Sequence, residues 1–332
     1  MKHQVTVPAG VDPTSIDPKN PQDWPAGTRV QMDEKDFNGG TVGVGHGKFG
    51  LEASVEGSKG TSIVMEKTSQ NTVDVTVGPT EAFTNGGTLK FKPTDGVEAK
   101  VSAGGTNESV HYKKFTVDTS KPGGSEVLDN VVSGKNLPAN NGDDADNVSN
   151  YHEVRINSKS VEASAKLKLP GIEFGASSTP HPNQQTVVTT YPDGRAEYRG
   201  TVDINGDGKP EGIETRTSTD GGNTWSDPTL KMRHTVNESS VDQQYWRNVT
   251  GRQDLQAGDV VEVEMTKAEI DTMREASNSP YTRKQAGEGE AEAIRDRGRF
   301  LTNLAHQPQN ELMQYTFRTH QLPPGTYTVH KG

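Results

Sequence analysis

Between Val30 and Met265 apolar residues recur at every second position in short runs, and clusters of Gly, Asn and Asp separate the runs. A two-residue period marks a strand with one buried face, so a chain written this way folds into antiparallel sheet. The first runs are Thr61 to Met65, Thr72 to Val77, Thr88 to Lys92 and Phe115 to Val117, with Asn85-Gly86-Gly87 and Thr94-Asp95-Gly96 among the turn signals. After a break they resume at Tyr151 to Ile156, Val161 to Leu169, Thr186 to Tyr191, Ala196 to Val202, Ile213 to Thr217, Lys231 to Val236 and Val260 to Met265. Tyr191-Pro192-Asp193-Gly194 predicts a hairpin, because Pro presets φ and Gly accepts a positive φ.

A helical period follows only later. Thr266 with Glu269 is a capping box, and Ile270, Met273 and Ala276 form a stripe behind it. A second helix is expected over 289–305, with Ala291, Ile294, Gly298, Leu301 and Ala305 on a narrow face, and a last strand is expected from Met313 to Arg318. The predicted fold is mainly β: antiparallel sandwich or meander units with a small C-terminal helical segment packed on a sheet. Strand should then exceed helix about twofold, against typical contents of roughly one quarter and one third.

Residues 1–28 carry Pro8, Pro13, Pro18, Pro21 and Pro25 and read as an extended arm. A β domain is expected over 29–118, and a linker or long loop rich in Gly, Ser, Asn and Asp over 119–150. A second β domain with the helices would fill 151–332. The absence of Cys excludes disulfides, thiolate metal sites and cysteine nucleophiles. A net charge of −10 argues against a phosphate-backbone partner, so no nucleic acid is expected. No apolar run is long enough for a transmembrane helix. The opening residues Met1 to Val5 lack the apolar core of a secretory signal. That leaves secretion or surface display by a leaderless route, a piece of a larger exported protein, or a cytoplasmic location.

The strongest chemical signal is Asp203-Ile204-Asn205-Gly206-Asp207-Gly208-Lys209-Pro210-Glu211-Gly212-Ile213-Glu214. It fits D-x-[DN]-x-[DN]-G-x₅-E, in which alternate oxygen-bearing side chains on a tightly curled backbone converge on one hard cation. Calcium is the expected ion. Asp203, Asn205 and Asp207 would offer side-chain oxygens, Lys209 its carbonyl, and Glu211 or Glu214 the closing carboxylate. The flanks read as strands, so the segment resembles the strand-loop-strand calcium sites of FG-GAP repeats more than an EF-hand. That resemblance implies that Glu211 is the ligand in place of Glu214.

Directly downstream, Ser218-Thr219-Asp220-Gly221-Gly222-Asn223-Thr224-Trp225 matches S-x-D-x-G-x-T-W and resembles the Asp-box hairpin of sialidases and related propellers. The resemblance covers one hairpin. It implies a turn bonded by Asp and Ser with Trp beneath it. Sialidase chemistry would further need an arginine cluster, a tyrosine nucleophile and an acidic partner, for which Arg195, Arg199, Arg216, Arg233, Arg247, Tyr198 and Tyr245 are the candidates.

No G-x-S-x-G elbow, Walker loop, dinucleotide fingerprint or H-E-x-x-H occurs, and the nine histidines are scattered. No catalytic residue is assigned. The Gly- and Thr-rich β segments and the phrase Val77-Gly78-Pro79-Thr80-Glu81-Ala82 resemble β-rich modules of large secreted toxins and effectors of Gram-negative bacteria. The resulting expectation is an exported, calcium-stabilised binding or structural module that meets a protein or glycan surface. A glycoside hydrolase or other cell-wall enzyme is one alternative. The other is a membrane-active β protein, suggested by the alternating, glycine-rich stretch Gly39 to Val55.

Overall fold

The computed structural model describes residues 3–35, 61–79, 89–90, 98–99, 109–135, 137–138, 147–157, 184–206 and 209–332. The protein is mainly β and antiparallel, as its alternation requires. It divides into two compact units. The first comprises residues 1–156 and 188–196, and the second residues 157–187 and 197–332. The expected strands Val161 to Leu169 and most of Thr88 to Lys92 lie outside the described residues.

In the first unit β1 (His3–Thr6), β2 (Arg29–Lys35), β3 (Thr61–Lys67) and β4 (Thr72–Pro79) lie side by side. Two short strands, β5 (Leu89–Lys90) and β6 (Glu98–Ala99), pair with each other. Next to β4 come β7 (Ser109–Asp118) and then β8 (Val148–Asn157), whose last residue belongs to the second unit. The registers explain the core. Val30 faces Met65, Met65 faces Val75, and Val75 faces Phe115, so one row of fully buried side chains crosses four strands. Each such side chain contributes about 1.5–3 kcal/mol by leaving water.

Residues 119–150, expected as a linker, contain helix α1 (Gly124–Ser133), which adds Leu128, Val131 and Val132 to this core. Gly124 is required at its start, because a Cβ there would lie 2.2 Å from Asp118 O. The proline-rich segment is likewise no extended arm. Ile16 and Trp24 enter the same core, and Trp24 Nε1 donates to Asp17 O at 2.7 Å. Buried Lys67 donates from Nζ to Gln22 O at 2.8 Å, and desolvation lowers its pKa from the ordinary lysine value. Prolines that bar regular hydrogen bonding here set two short 3-10 turns at Pro13–Ser15 and Pro21–Asp23.

Strand β9 (Gln184–Thr190) is divided between the units at Val187. The second unit continues with β10 (Ala196–Val202), β11 (Gly212–Ser218), β12 (Thr229–Thr235), helix α2 (Ser240–Thr250) and β13 (Val260–Thr266). Helices α3 (Lys267–Glu275), α4 (Glu290–His306) and α5 (Pro308–Thr319) precede β14 (Thr326–His330), in the order β10-β11-β12-β13-β14. Leu230 faces Met265 and Met232 faces Val263, and Trp246, Ile270, Phe300, Leu304 and Leu312 cover that side. On the other side Lys231 and Arg233 pair with Glu262 at 3.2 and 2.9 Å.

The capping box forms, with Thr266 N donating to Glu269 Oε2 at 2.7 Å and Glu269 N donating to Thr266 Oγ1 at 3.3 Å. Two expectations are corrected. Met313 to Arg318 is helical, because Pro308 opens α5 and its buried residues Leu312 and Tyr315 follow a three-residue step. Helix α2 is also unforeseen, and with α1 it brings helix close to strand in amount, so the twofold excess does not hold.

Candidate functional site

The 203–211 loop joins β10 to β11, so both of its ends are fixed by paired strands. Asp203 Oδ1 accepts from Gly206 N at 2.7 Å, and Gly206 takes a φ of +75° that favours glycine. Glu211 folds back over the loop. Its Oε2 accepts from Ile204 N at 2.7 Å and its Oε1 accepts from Asn205 Nδ2 at 2.6 Å. Asp203, Asn205 and Glu211 are thus gathered on one turn, while Asp207 and Gly208 lie outside the described residues. Lys209 is exposed.

The donor set fits a hard cation: two carboxylates and an amide on one short turn, all oxygen chemistry. Among the described residues no group of three or more His, Cys, Asp or Glu side chains is arranged to hold a metal. Asp203 and Glu211 are the two carboxylates of the loop among the described residues.

Glu214 stands apart from them. It sits on β11 opposite Leu230, on the side that packs the core, and is fully buried. Arg216 Nε donates to Glu214 Oε1 at 2.8 Å, so this carboxylate has a cation within its own strand. Glu214 therefore serves the interior, and Glu211 occupies the position that closes the loop.

The 218–225 segment is tied together by its own side chains. Asp220 Oδ1 accepts from Ser218 Oγ at 2.8 Å and from Thr224 N at 2.9 Å, and its Oδ2 accepts from Thr224 Oγ1 at 2.6 Å. These bonds, Thr224 foremost, pull the Asp220 pKa down to about 2. Gly221 and Gly222 both take positive φ. Trp225 meets Tyr198 edge to face at 6.3 Å between centroids. Tyr198 is buried, and desolvation, with Glu214 second, pushes its hydroxyl well above the usual tyrosine range.

Four of the five arginines that a sialidase-like site would gather bond partners elsewhere. Arg195 bonds Asp193 and lies 4.5 Å over the Tyr191 ring. Arg216 bonds Glu214, Arg233 bonds Glu262, and Arg247 donates to Leu255 O.

One cluster had no signal in the linear pattern. His234 Nε2 lies 3.0 Å from Asp242 Oδ2, Trp246 Nε1 donates to Asp242 Oδ1 at 3.1 Å, and Asn237 N donates to Asp242 Oδ2 at 2.8 Å. The imidazole also stacks on Trp246 at 5.2 Å. Asp242 is buried, and both of its carboxylate oxygens have hydrogen-bond partners in this cluster.

No family model, curated protein or solved structure matches this chain.

Proposed function

We propose that the protein is a calcium-stabilised, β-rich binding module, of the kind found in exported bacterial toxins and effectors. The observation that carries this is the clasp of Glu211 across Asn205 and Ile204, which draws Asp203, Asn205 and Glu211 onto one turn between two paired strands. Asp203 and Glu211 bring two carboxylates to one short loop, the oxygen chemistry that a hard cation takes. The ion's role is to lock the β10–β11 connection and the Asp-box hairpin that follows, leaving the exposed turn residues Asn223 and Thr224 fixed for contact with a protein or glycan surface. The export and toxin setting is supported by the Gly- and Thr-rich composition alone.

Calorimetry and thermal melts with Ca²⁺ test it. The melting temperature should rise with Ca²⁺ as RT ln(1 + [L]/Kd), and Glu211→Gln should abolish the rise. Mg²⁺ should act weakly, because it gives up its waters reluctantly. No heat with millimolar Ca²⁺ and identical melts with and without it would sink the reading.

A further inference from the structure

An outer strand of an antiparallel sheet bonds a neighbour on one side and keeps a row of backbone N–H and C=O groups on the other. In the second unit that strand is β14, whose one strand neighbour among the described residues is β13. Such edges are ordinarily guarded by Lys, by Pro or by a bulge. β14 reads Thr326-Tyr327-Thr328-Val329-His330, with no Lys, Arg, Asp, Glu or Pro. Its register with β13 runs unbroken, from Thr326 opposite Glu264 to His330 opposite Val260. The charges that would guard an edge stand on the inner strands instead, as Lys231 and Arg233 on β12 and Glu262 and Glu264 on β13. Thr326, Thr328 and His330 are exposed, and Tyr327 and Val329 are only half-buried although they pack against the core.

The strand is also held ready for a neighbour. Beyond its end, Lys331 Nζ donates to Asp254 O and to Asp259 Oδ2, each at 2.9 Å, and Gly332 N donates to Asp259 Oδ1 at 3.2 Å. At its start, Gly325 takes a φ of +124°, and a Cβ there would lie 2.9 Å from Glu264 O. Tyr327 OH donates to Pro323 O at 3.1 Å. A strand fixed at both ends loses little conformational entropy when another strand adds to it.

Its own sequence selects the partner. Laid antiparallel on a second copy about Thr328, β14 sets Thr328 opposite Thr328, Tyr327 opposite Val329 and Thr326 opposite His330. Thr–Thr and aromatic–β-branched pairs are among the favourable cross-strand pairs, and no two Lys, Arg, Asp or Glu side chains meet. We propose that β14 is a dimerisation edge, joining two copies of this chain by antiparallel β14–β14 pairing with Thr328 on the two-fold axis. Such a contact is closed, because each copy's edge is occupied by the other's, so association stops at two. With five residues from each copy it is a small contact, of the weak class that buries less than about 1,200 Å².

Sedimentation velocity of the full chain over a concentration series should show a monomer–dimer equilibrium. Thr328→Lys puts like charges face to face on the axis and should weaken dimerisation at least about tenfold, as should Thr328→Glu. An equimolar mixture of the two variants should regain a dimer at least as stable as the parent's, a rescue that misfolding of either variant cannot give. Phe317→Ser, on α5, removes a side chain that is 83% exposed and should dimerise like the parent. A parent that stays monomeric throughout overturns the proposal, as does a mixture no better than its components. Larger open-ended species that Gln4→Lys on β1 abolishes would also overturn it, because they would mean head-to-tail pairing of β14 with the other outer strand. Chelator in every run keeps the outcome independent of the 203–211 loop.

Discussion

Asp242 Oδ2 sits 3.0 Å from His234 Nε2, joining the first turn of α2 to the end of β12 across the chain reversal that contains Asn237. Because Trp246 Nε1 and Asn237 N also donate to this carboxylate, the aspartate is the hub that fixes α2 on the sheet.

Asp242→Ala should therefore cost at least about 3 kcal/mol, since it leaves buried donors unpaired, and Asp242→Asn should cost less because one acceptor oxygen survives. Urea unfolding of the three proteins measures this. Equal midpoints would mean that the helix is held by Trp246 packing alone.

The Glu214–Arg216 pair is buried within one strand. Arg216→Met takes the guanidinium from a buried carboxylate and should destabilise by about 3–5 kcal/mol, whereas Glu214→Leu with Arg216→Met should recover most of that loss. A double variant as unstable as the single one would contradict it.

Asp220 gives a pH signature with a definite sign. Its folded pKa of about 2 lies below the 3.8 of an ordinary aspartate, so its stabilising effect is complete above the unfolded value and fades as pH falls through the folded one. The difference in melting temperature between the parent and Asp220→Asn should shrink between about pH 5 and about pH 2. A gap that stays constant over that window would show that the carboxylate's charge does not matter to the hairpin.

The register of α5 can be read from a pair of substitutions. Leu312 is buried and Phe317 is 83% exposed. Leu312→Ala should cost about 2–5 kcal/mol and Phe317→Ser almost nothing. The reverse outcome would restore the strand that Met313, Tyr315 and Phe317 suggest.

That last segment shows where alternation misleads. Met313, Tyr315 and Phe317 alternate by coincidence, and the helix is signalled instead by Pro308 at its first position. In α2 the apolar set Val241, Tyr245, Trp246 and Val249 has helical spacing, but polar residues and a β-branched valine weaken its propensity. Long strands such as β3, β4, β12 and β13 were legible because both their period and their turns agreed. The bonds of the 218–225 turn and of the capping box were legible because they run between near neighbours. The separation of Glu214 from the loop was harder to see, because it depends on which face of β11 meets Leu230. His234 with Asp242 depends on a chain reversal that no local spacing encodes.

The four-residue turn between β3 and β4 also has a kinetic meaning. Thr68 N and Ser69 N both donate to Thr72 O, closing the hairpin on itself. Bringing β2 to β3 through residues 36–60 costs roughly 1–2 kcal/mol more in loop-closure entropy. The β3–β4 hairpin should consequently be the nucleus of the first unit, with Val75 and Met65 already in contact at the folding barrier while Val30 is still unpaired.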